Sequence, residues 1–523
     1  MTREPQSGRL DRRSFLHVAG LAVGLGATTA LAACSNTASQ APPTSSSAPP
    51  PTTTTPPSTS TAPGPINYAA LASRLPGKLV LPGAAGYAAA RRSYNPLFDG
   101  RQPGAVALCA NPADVQACVA AVAASTTPIA ARSGGHSYVG YSTPDNALVV
   151  DLTGLSGSTV NPDGSMVVGA GSRLIDVYAA AANAGRAIGA GSCPSVGISG
   201  LTLGGGIGVL SRKFGLTCDQ LTSATVVTAD GTLRTASANS EPDLFWALRG
   251  GGGGNFGIVT SFTFGTAPAP ALTVFSLQYP AGSVADVLGG WQEWVAAAPD
   301  ELWATCNVAG GSPASCTIVG TYVGSAAGLS PLLTDLARRT GVTPSGRSML
   351  SKSYLDAMRY FGGCSSDSIA QCHLTSAGGT LGRESFVASS SMVTNPLTDP
   401  GSVASLCAGR SNLNLIFDAL GGAVGRIAPN ATAFPHRNAL ASVQIYQKLV
   451  TMSQSAATQL VGTVRDTLTG MVGGAAGYVN YIDQNMPNWG QAYYGDNLTR
   501  LRQVAARYDP HGVFSFPQAV TKA

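Results

Sequence analysis

The segment Arg132-Ser-Gly-Gly-His-Ser-Tyr138 is the most informative part of the sequence, together with two glycine-rich segments downstream of it. These segments are Gly189-Ala-Gly-Ser-Cys-Pro-Ser-Val-Gly197 and Leu201-Thr-Leu-Gly-Gly-Gly-Ile-Gly208. Glycine has no Cβ, so backbone N–H groups in such turns can lie directly against a ligand. Segment 132–138 contains one nucleophilic side chain, His136, and segment 189–197 contains another, Cys193. The pattern predicts a ligand-binding site with nucleophiles at its surface.

These motifs resemble those of a known protein family. From about Pro103 to Pro268 the sequence is similar to the FAD-binding domain of vanillyl-alcohol oxidase and para-cresol methylhydroxylase, and within that superfamily it resembles the berberine-bridge-enzyme-like flavoproteins. The resemblance implies that His136 bonds to the 8-methyl carbon of FAD and that Cys193 bonds to ring carbon 6. The alternatives are a loop histidine with satisfied hydrogen bonds and a cysteine buried as a small hydrophobe.

A further glycine run needs a different interpretation. Gly252, Gly254 and Gly257 match the dinucleotide fingerprint G-x-G-x-x-G letter by letter. That fingerprint requires a helix after the last glycine, whereas Ile258-Val-Thr-Ser-Phe-Thr-Phe264 is a β-rich run. We therefore exclude a nicotinamide site here. The family resemblance implies that this segment lies against the FAD.

The resemblance also implies which residues surround the cofactor. Most belong to the glycine-rich segments, and Asn497 belongs to the C-terminal signature Tyr494-Gly-Asp-Asn497. The predicted cofactor-binding residues are His136, Cys193, Arg132, Ser133, Gly134, Gly135, Ser137, Tyr138, Gly197, Gly200, Leu203, Gly204, Gly205, Gly208, Gly257, Ile258, Val259 and Asn497.

Two C-terminal tyrosines are the candidates for a catalytic base. A flavin oxidase moves a hydride from a substrate carbon to the flavin while a base removes the hydroxyl proton. In Tyr478-Val-Asn-Tyr-Ile-Asp483, Tyr481 resembles the catalytic tyrosine of the sugar-oxidising relatives, and Tyr478 is the alternative. Neighbouring donors or cations would have to stabilise the phenolate, because the ordinary pKa of tyrosine is about 10. On a presumed strand the two side chains point to opposite faces, and ordinary packing in the sheet is the structural alternative.

Other polar and aromatic residues are assigned by the same resemblance. Gln444 lies where berberine bridge enzyme carries a catalytic glutamate, and glutamine cannot act as a base. We therefore predict hydrogen bonding from Gln444 to the substrate, without the C–C ring closure of that enzyme. His436 is predicted to be a structural hydrogen-bonding residue. Tyr138 and Tyr141 are further cavity candidates, and Trp291, Trp294 and Trp303 either line the site or fill a core.

The N-terminus predicts export. Asp11-Arg-Arg-Ser-Phe-Leu16 and the uncharged run 18–33 form the pattern of a twin-arginine signal. The run has about sixteen residues, too few to span a membrane. Leu31-Ala-Ala-Cys34 resembles a bacterial lipobox, which implies a lipid on Cys34 and anchoring to the outer face of the cell membrane. The alternative is an ordinary cleavage site and a secreted protein.

Composition limits the class of protein and its compartment. The first 33 residues hold four arginines and two acidic residues, so 27 basic and 24 acidic residues remain, a balance that excludes a nucleic-acid footprint. Ten cysteines suit an exported protein, and no metal site is expected from their spacing. Eight cysteines remain when Cys34 and Cys193 are set aside. Because eight cysteines allow 105 connectivities, any one set of pairs is only a hypothesis. The pairs favoured by spacing are Cys109–Cys118, Cys306–Cys316, Cys364–Cys372 and Cys218–Cys407.

The predicted fold is α+β, with a two-part FAD-binding domain of the para-cresol methylhydroxylase type and a substrate domain whose antiparallel sheet is backed by helices. Expected elements include a helix from Asn111-Pro-Ala-Asp114 to about Ala124, a strand at Thr127–Arg132 and a helix at Leu174–Ala184. The expected organisation is a twin-arginine lipoprotein signal peptide (1–33), a Pro/Thr/Ser-rich linker (34–65), the FAD-binding domain (66–268), the substrate-binding domain (269–475) and a C-terminal berberine-bridge-like segment (476–523) that returns to the FAD domain.

The sequence is compatible with three functions. The first is an exported oxidase that carries covalently bound FAD, oxidises a carbohydrate or another alcohol and reduces O2 to H2O2. The second is a membrane-anchored dehydrogenase that passes electrons to a quinone or another carrier. The third is a surface lipoprotein that retains FAD only structurally, against which the catalytic-type tyrosines argue.

Overall fold

The computed structural model describes residues 64–523. The predicted twin-arginine signal, the lipid-modified Cys34 and nearly all of the linker lie outside the described residues. Within residues 64–523 the predicted α+β fold is confirmed, since sheets of four and five strands, with helices and a two-stranded pair formed by Arg186–Ala187 and Ala267–Pro268, precede a larger antiparallel sheet along the chain. No helix in this range is long and apolar enough to cross a membrane.

The first sheet has four strands and positions the His136 turn. The helix Pro112–Ala123 precedes its strand Ile129–Arg132 in the chain, and Asn111 caps that helix by accepting a hydrogen bond from the Asp114 amide at 3.0 Å. Pro112 occupies a position where no N–H is needed, as the sequence predicts. The order across the sheet is Leu79–Val80, Ala105–Leu108, Leu148–Asp151 and Ile129–Arg132, with the first pair antiparallel and the others parallel.

The second sheet has five antiparallel strands and supports the glycine-rich segments. Its central strand Ile258–Gly265 begins directly after Gly257, so a strand stands where a nicotinamide-binding unit requires a helix. The order is Ser158–Val160, Ser165–Gly169, Ile258–Gly265, Leu221–Val227 and Leu233–Ser237. Besides Pro112–Ala123, the helices that accompany these first two sheets are Tyr68–Arg74, Tyr87–Ala90, Leu174–Asn183, Ile198–Leu203, Ser211–Phe214 and Pro242–Ala247.

The third sheet has seven antiparallel strands and is backed by helices on one face. Trp291 and Trp294 lie in the core of that face, each 1% exposed and in edge contact with Phe417 and Phe275 respectively. The order is Gly346–Lys352, Leu272–Gln278, Ser315–Val323, Leu302–Ala309, Leu413–Ala419, Ala441–Lys448 and Phe386–Val393. Helices of this half are Val284–Ala297, Ala326–Thr340, Tyr354–Phe361, Pro400–Cys407 and Gln454–Val472.

The C-terminal segment packs back onto the first half of the chain. Its helices are Trp489–Tyr494 and Leu498–Tyr508. The Val520 amide donates to the side chain of Asn255 at 3.0 Å, beside the glycine run. The strand predicted across Tyr478 and Tyr481 is wrong, because the chain turns there into the 3-10 helix Val479–Tyr481 and the Tyr481 amide donates to the Tyr478 carbonyl at 2.8 Å.

The predicted cysteine pairs have different outcomes. The disulfide Cys364–Cys372 is present, as predicted. In two further pairs the sulfur atoms are close but unbonded, at 3.9 Å for Cys109–Cys118 and 3.3 Å for Cys306–Cys316. The pairing Cys218–Cys407 is wrong, because Cys218 packs in a small cluster with Phe434 whereas Cys407 is buried in the main core.

Candidate active site

A cavity of about 950 Å³ lies between the part of the chain with the two small sheets and the seven-stranded sheet. Its wall includes the His136 turn, the Cys193 turn, the glycine run 252–254, one face of the seven-stranded sheet and the C-terminal stretch 511–518. This volume lies at the upper end of the range for pockets that enclose cofactors and small ligands. The three regions that the sequence singles out therefore meet around one large space.

The His136 turn leaves the edge of the first sheet and runs along the cavity. Gly135 has φ +69°, a conformation that favours glycine and that sends the chain back towards the cavity wall. Arg132, predicted to bind the cofactor, is not part of that wall. Its guanidinium is buried against the Asp151 carboxylate, with Nε 2.8 Å from the oxygen, and so holds the start of the turn in place.

The two predicted attachment residues lie close together at the cavity surface. The imidazole of His136 stacks on the ring of Tyr94 with 3.9 Å between the ring centroids. His136 Nε2 is 3.1 Å from the hydroxyl oxygen of Ser195, and the sulfur of Cys193 is 3.6 Å from the same oxygen. The fold thus brings both nucleophiles to one hydroxyl group, although they come from different turns.

Most of the other predicted cofactor-binding residues also line the cavity. Gly257 shows why this wall needs glycine, because its φ is +143° and a Cβ would lie 2.6 Å from the Val227 carbonyl oxygen. The predicted residues found in the wall, besides His136 and Cys193, are Ser133, Gly134, Gly135, Ser137, Tyr138, Gly197, Gly200, Leu203, Gly208, Gly257, Ile258 and Val259.

Three predicted cofactor-binding residues support the wall from behind. Gly204 lies against Asn480, where a Cβ would be 2.1 Å from the amide oxygen, and Gly205 lies against the ring of Phe434. Asn497 donates its side-chain amide to the carbonyl oxygens of Pro429 and Thr432, at 2.8 and 3.1 Å. These residues fix neighbouring loops rather than contacting the cavity.

The seven-stranded sheet presents polar and aromatic groups to the opposite side of the cavity. Ile416 and Asp418 are two residues apart on one strand, so both side chains point to this face. Ile416 is paired directly with Gln444 on the next strand. Gln444 donates its amide to the Tyr138 hydroxyl, so it lines the cavity as predicted and is tied to the His136 turn. Trp303 is on the same face, where it lines the cavity and is also buried in the core against Phe361.

Tyr481 lies in the cavity wall beside a buried carboxylate. Its hydroxyl is 3.5 Å from Asp418 Oδ2, and its ring stacks on Tyr138 at 5.4 Å between centroids. Burial raises the pKa of Asp418 to about 7, against the opposing hydrogen bonds of the Thr305 and Tyr481 hydroxyls. Burial also raises the pKa of Tyr481 well above its ordinary range, and the Asp418 carboxylate raises it further. The group beside Tyr481 is thus a proton acceptor, not the cation or donor that a phenolate needs.

Tyr478 lies behind the cavity wall. Its oxygen accepts hydrogen bonds from the amides of Gly206 and Ile207, at 2.8 and 3.2 Å, and from the side chain of Asn480 at 2.8 Å. Burial raises the pKa of Tyr478 to about 12, although these three donors oppose the rise. The geometry makes Tyr478 a support for the glycine turn.

His436 makes the structural hydrogen bond that the sequence predicts. Its Nε2 donates to the carbonyl oxygen of Tyr493 at 3.1 Å. Burial lowers the pKa of His436 to about 4, so the ring is neutral near pH 7. The neighbouring Arg437 forms a buried ion pair with Asp219 at 2.7 Å, which joins the two halves of the chain.

Asp418 and Ser195 belong to this site but are missing from the sequence predictions. A signal for Asp418 exists, because a single carboxylate interrupts the apolar stretch Leu413-Asn-Leu-Ile-Phe-Asp-Ala419. A charge is rarely buried in a strand unless it has a function or a partner. Ser195 has no comparable signal, since serine is common in glycine-rich turns.

Comparisons with known proteins agree with this geometry. Residues 103–237 match the family model of an FAD binding domain, and residues 477–521 match the model described as berberine and berberine like. An uncharacterised FAD-linked oxidoreductase of Bacillus subtilis is 33% identical over 86% of this chain and 97% of its own length.

Two fungal relatives have names that state an activity. A chitooligosaccharide oxidase of Gibberella zeae is 30% identical over 80% of this chain and 87% of its own length, and a solved chitooligosaccharide oxidase structure has a TM-score of 0.78 over 87% of this chain and 98% of that one, at 29% identity. A xylooligosaccharide oxidase of Thermothelomyces thermophilus is 32% identical over 82% of this chain and 89% of its own length. The chain therefore belongs to the berberine-bridge-enzyme-like family of FAD-linked oxidoreductases.

Proposed function

We propose that the protein is a carbohydrate oxidase that takes a hydride from a CH–OH group onto FAD held covalently by His136 and Cys193, and that it reduces O2 to H2O2. The observation that carries this proposal is the position of Tyr481 and Asp418 in the same cavity wall as the two nucleophiles. A proton acceptor and a cofactor attachment site at one cavity are what alcohol oxidation requires. We also propose export by the twin-arginine route with a lipid on Cys34, on the sequence evidence.

The residues present fit FAD. Backbone of the glycine-rich turns forms one side of a cavity large enough for a cofactor with room for a substrate, and His136 and Cys193 lie on that side. Ser133–Tyr138, the Cys193 turn and the strand start at Ile258 and Val259 would hold the group. Bound there, FAD would supply the hydride acceptor.

The protein's own contribution to the reaction is proton transfer. A substrate hydroxyl in the cavity would donate its proton to the oxygen of Tyr481 while the Tyr481 proton passes to Asp418, 3.5 Å away. Tyrosine then stays neutral throughout, which removes the need for a phenolate in a site where burial and a carboxylate both disfavour one. Gln444, held by Tyr138, would orient the substrate by hydrogen bonding.

The cavity wall suits a sugar chain better than an aromatic alcohol. Tyr138, Phe386 and Tyr446 form a cluster of rings in the wall, while Asp418, Gln444 and Glu384 offer hydrogen-bonding groups close to them. Sugars present both apolar C–H faces and many hydroxyl groups, and ligand sites combine an apolar lining with a few fixed polar groups. Two relatives named as oligosaccharide oxidases point to the same substrate class.

The rate of flavin reduction is expected to rise as the pH increases through about 7. The carboxyl of Asp418 has a raised pKa of about 7, so below that pH it is protonated and cannot accept the Tyr481 proton. Single-turnover reduction under anaerobic conditions, measured from pH 5 to pH 9, checks this. Asp418→Asn is expected to lower the rate and to remove the inflection, and an unchanged inflection in that variant would assign it to another group.

The substrate proposal is tested by anaerobic bleaching of the flavin absorbance. Xylo- and chitooligosaccharides are expected to bleach the enzyme, with the oxidised sugar appearing as the lactone or its acid in equal amount. Simple primary and aromatic alcohols form the comparison set. Bleaching by an aromatic alcohol with none by any sugar would contradict the carbohydrate assignment.

A further inference from the structure

Ser195 lies between the two residues proposed to hold the flavin. Its oxygen is 3.1 Å from Nε2 of His136 and 3.6 Å from the sulfur of Cys193. The residue is only 2% exposed, so water does not compete for these contacts. A hydroxyl group has one proton to donate and two lone pairs, which allows it to accept from one partner and donate to the other at the same time.

The turn that carries Ser195 is held in place by its backbone. The amide of Ile175 donates to the carbonyl oxygen of Pro194 at 3.2 Å, and the amide of Leu174 donates to that of Val196 at 3.0 Å. On the other side, Tyr94 stacks on the face of the His136 ring. The imidazole is thus fixed at its face by Tyr94 and at its edge by the Ser195 hydroxyl.

We propose that Ser195 is a positioning residue for covalent attachment, whose single hydroxyl orients the His136 ring and the Cys193 sulfur towards the flavin together. The proposal rests on the bicovalent FAD of the proposed function. Each attachment forms a C–N or C–S bond and breaks one C–H bond of the flavin and one N–H or S–H bond of the side chain. The two protons and two electrons so released reduce one O2 to H2O2.

The test compares variants that differ in the hydroxyl group. Ser195→Ala removes it, whereas Ser195→Thr and Ser195→Val form a pair of similar shape in which only threonine keeps it. Each variant is produced under flavin limitation, so that attachment is incomplete at the start, and is then incubated in air with added FAD while samples are digested at intervals. A doubly attached flavin cross-links the peptide containing His136 to the peptide containing Cys193, so mass spectrometry of that cross-linked pair measures bicovalent attachment directly.

We expect cross-linking to be about tenfold slower in Ser195→Ala and Ser195→Val than in the wild type, the effect of losing one hydrogen bond to a reacting group. Ser195→Thr should stay within about twofold of the wild type. The thermal unfolding midpoint of each variant is measured beside the rate, so that a slow rate is separated from a loss of folded protein. Equal rates in Thr and Val variants would overturn the role of the hydroxyl, even if Ser195→Ala fails to fold. A wild type without any cross-linked peptide would refute bicovalent attachment itself, which is a different failure.

Discussion

Tyr481→Phe is expected to slow flavin reduction by about 10² to 10⁴, the usual cost of losing a general base. The change removes one oxygen and keeps the ring that stacks on Tyr138. FAD should remain bound, because His136 and Cys193 are untouched. Anaerobic stopped-flow mixing with saturating oligosaccharide measures the rate, and reoxidation by air in the same variant should be almost unchanged.

Tyr478→Phe is the matched control for this prediction. It also removes one tyrosine oxygen from the same turn, but that oxygen accepts hydrogen bonds from Gly206 and Ile207 behind the wall. We expect a lower unfolding midpoint and a smaller loss of rate than in Tyr481→Phe. A larger loss of reduction rate in Tyr478→Phe would move the base to Tyr478 and would contradict the relay through Asp418.

The double variant His136→Ala with Cys193→Ala is expected to release all of its flavin on acid precipitation. Each single variant keeps one nucleophile in the cavity wall and should keep one bond, so its precipitate should remain yellow. The supernatant absorbance after precipitation, compared with total flavin before it, gives the released fraction. The glycine-rich turns are intact in the double variant, so it should still bind FAD reversibly before denaturation.

The single variants distinguish the two bonds. Loss of all colour from the precipitate of His136→Ala alone would mean that Cys193 makes no bond, and the reverse result would remove His136. Colourless precipitate from the wild type would remove both attachments. In that case His136 and Cys193 would be ordinary wall residues of a site that binds FAD without covalent bonds.

The first half of the molecule could be predicted well because its signals are local. The N-cap Asn111 and the proline that begin the helix Pro112–Ala123 are visible in the sequence, and the strand Ile129–Arg132 lies within the predicted run Thr127–Arg132. The glycine positions that line the cavity were predicted from the resemblance of their motifs to those of the family, and these motifs are continuous in the sequence. The predicted cofactor-binding residues that support the wall instead of lining it are Arg132, Gly204, Gly205 and Asn497, since a motif does not specify which of its members contact the ligand.

The catalytic side of the site depends on contacts between distant segments. Tyr481 lies in the C-terminal 3-10 turn, and Asp418 lies in a strand 63 residues earlier in the chain. That strand, Leu413–Ala419, was not among the predicted ones. The strand predicted at Tyr478 and Tyr481 placed their rings on opposite faces by alternation. The 3-10 turn also places one ring in the wall and the other behind it, but by a different backbone conformation and with 4.9 Å between the ring centroids.

The most direct test of the oxidase assignment is reoxidation of the substrate-reduced enzyme by air. The enzyme is first bleached anaerobically with one equivalent of oligosaccharide and then mixed with oxygenated buffer in a stopped-flow instrument. We expect the flavin absorbance to return at least as fast as steady-state turnover, with one H2O2 formed per flavin. Reoxidation much slower than turnover, with rapid recovery only after a quinone is added, would contradict the oxidase assignment and identify a dehydrogenase.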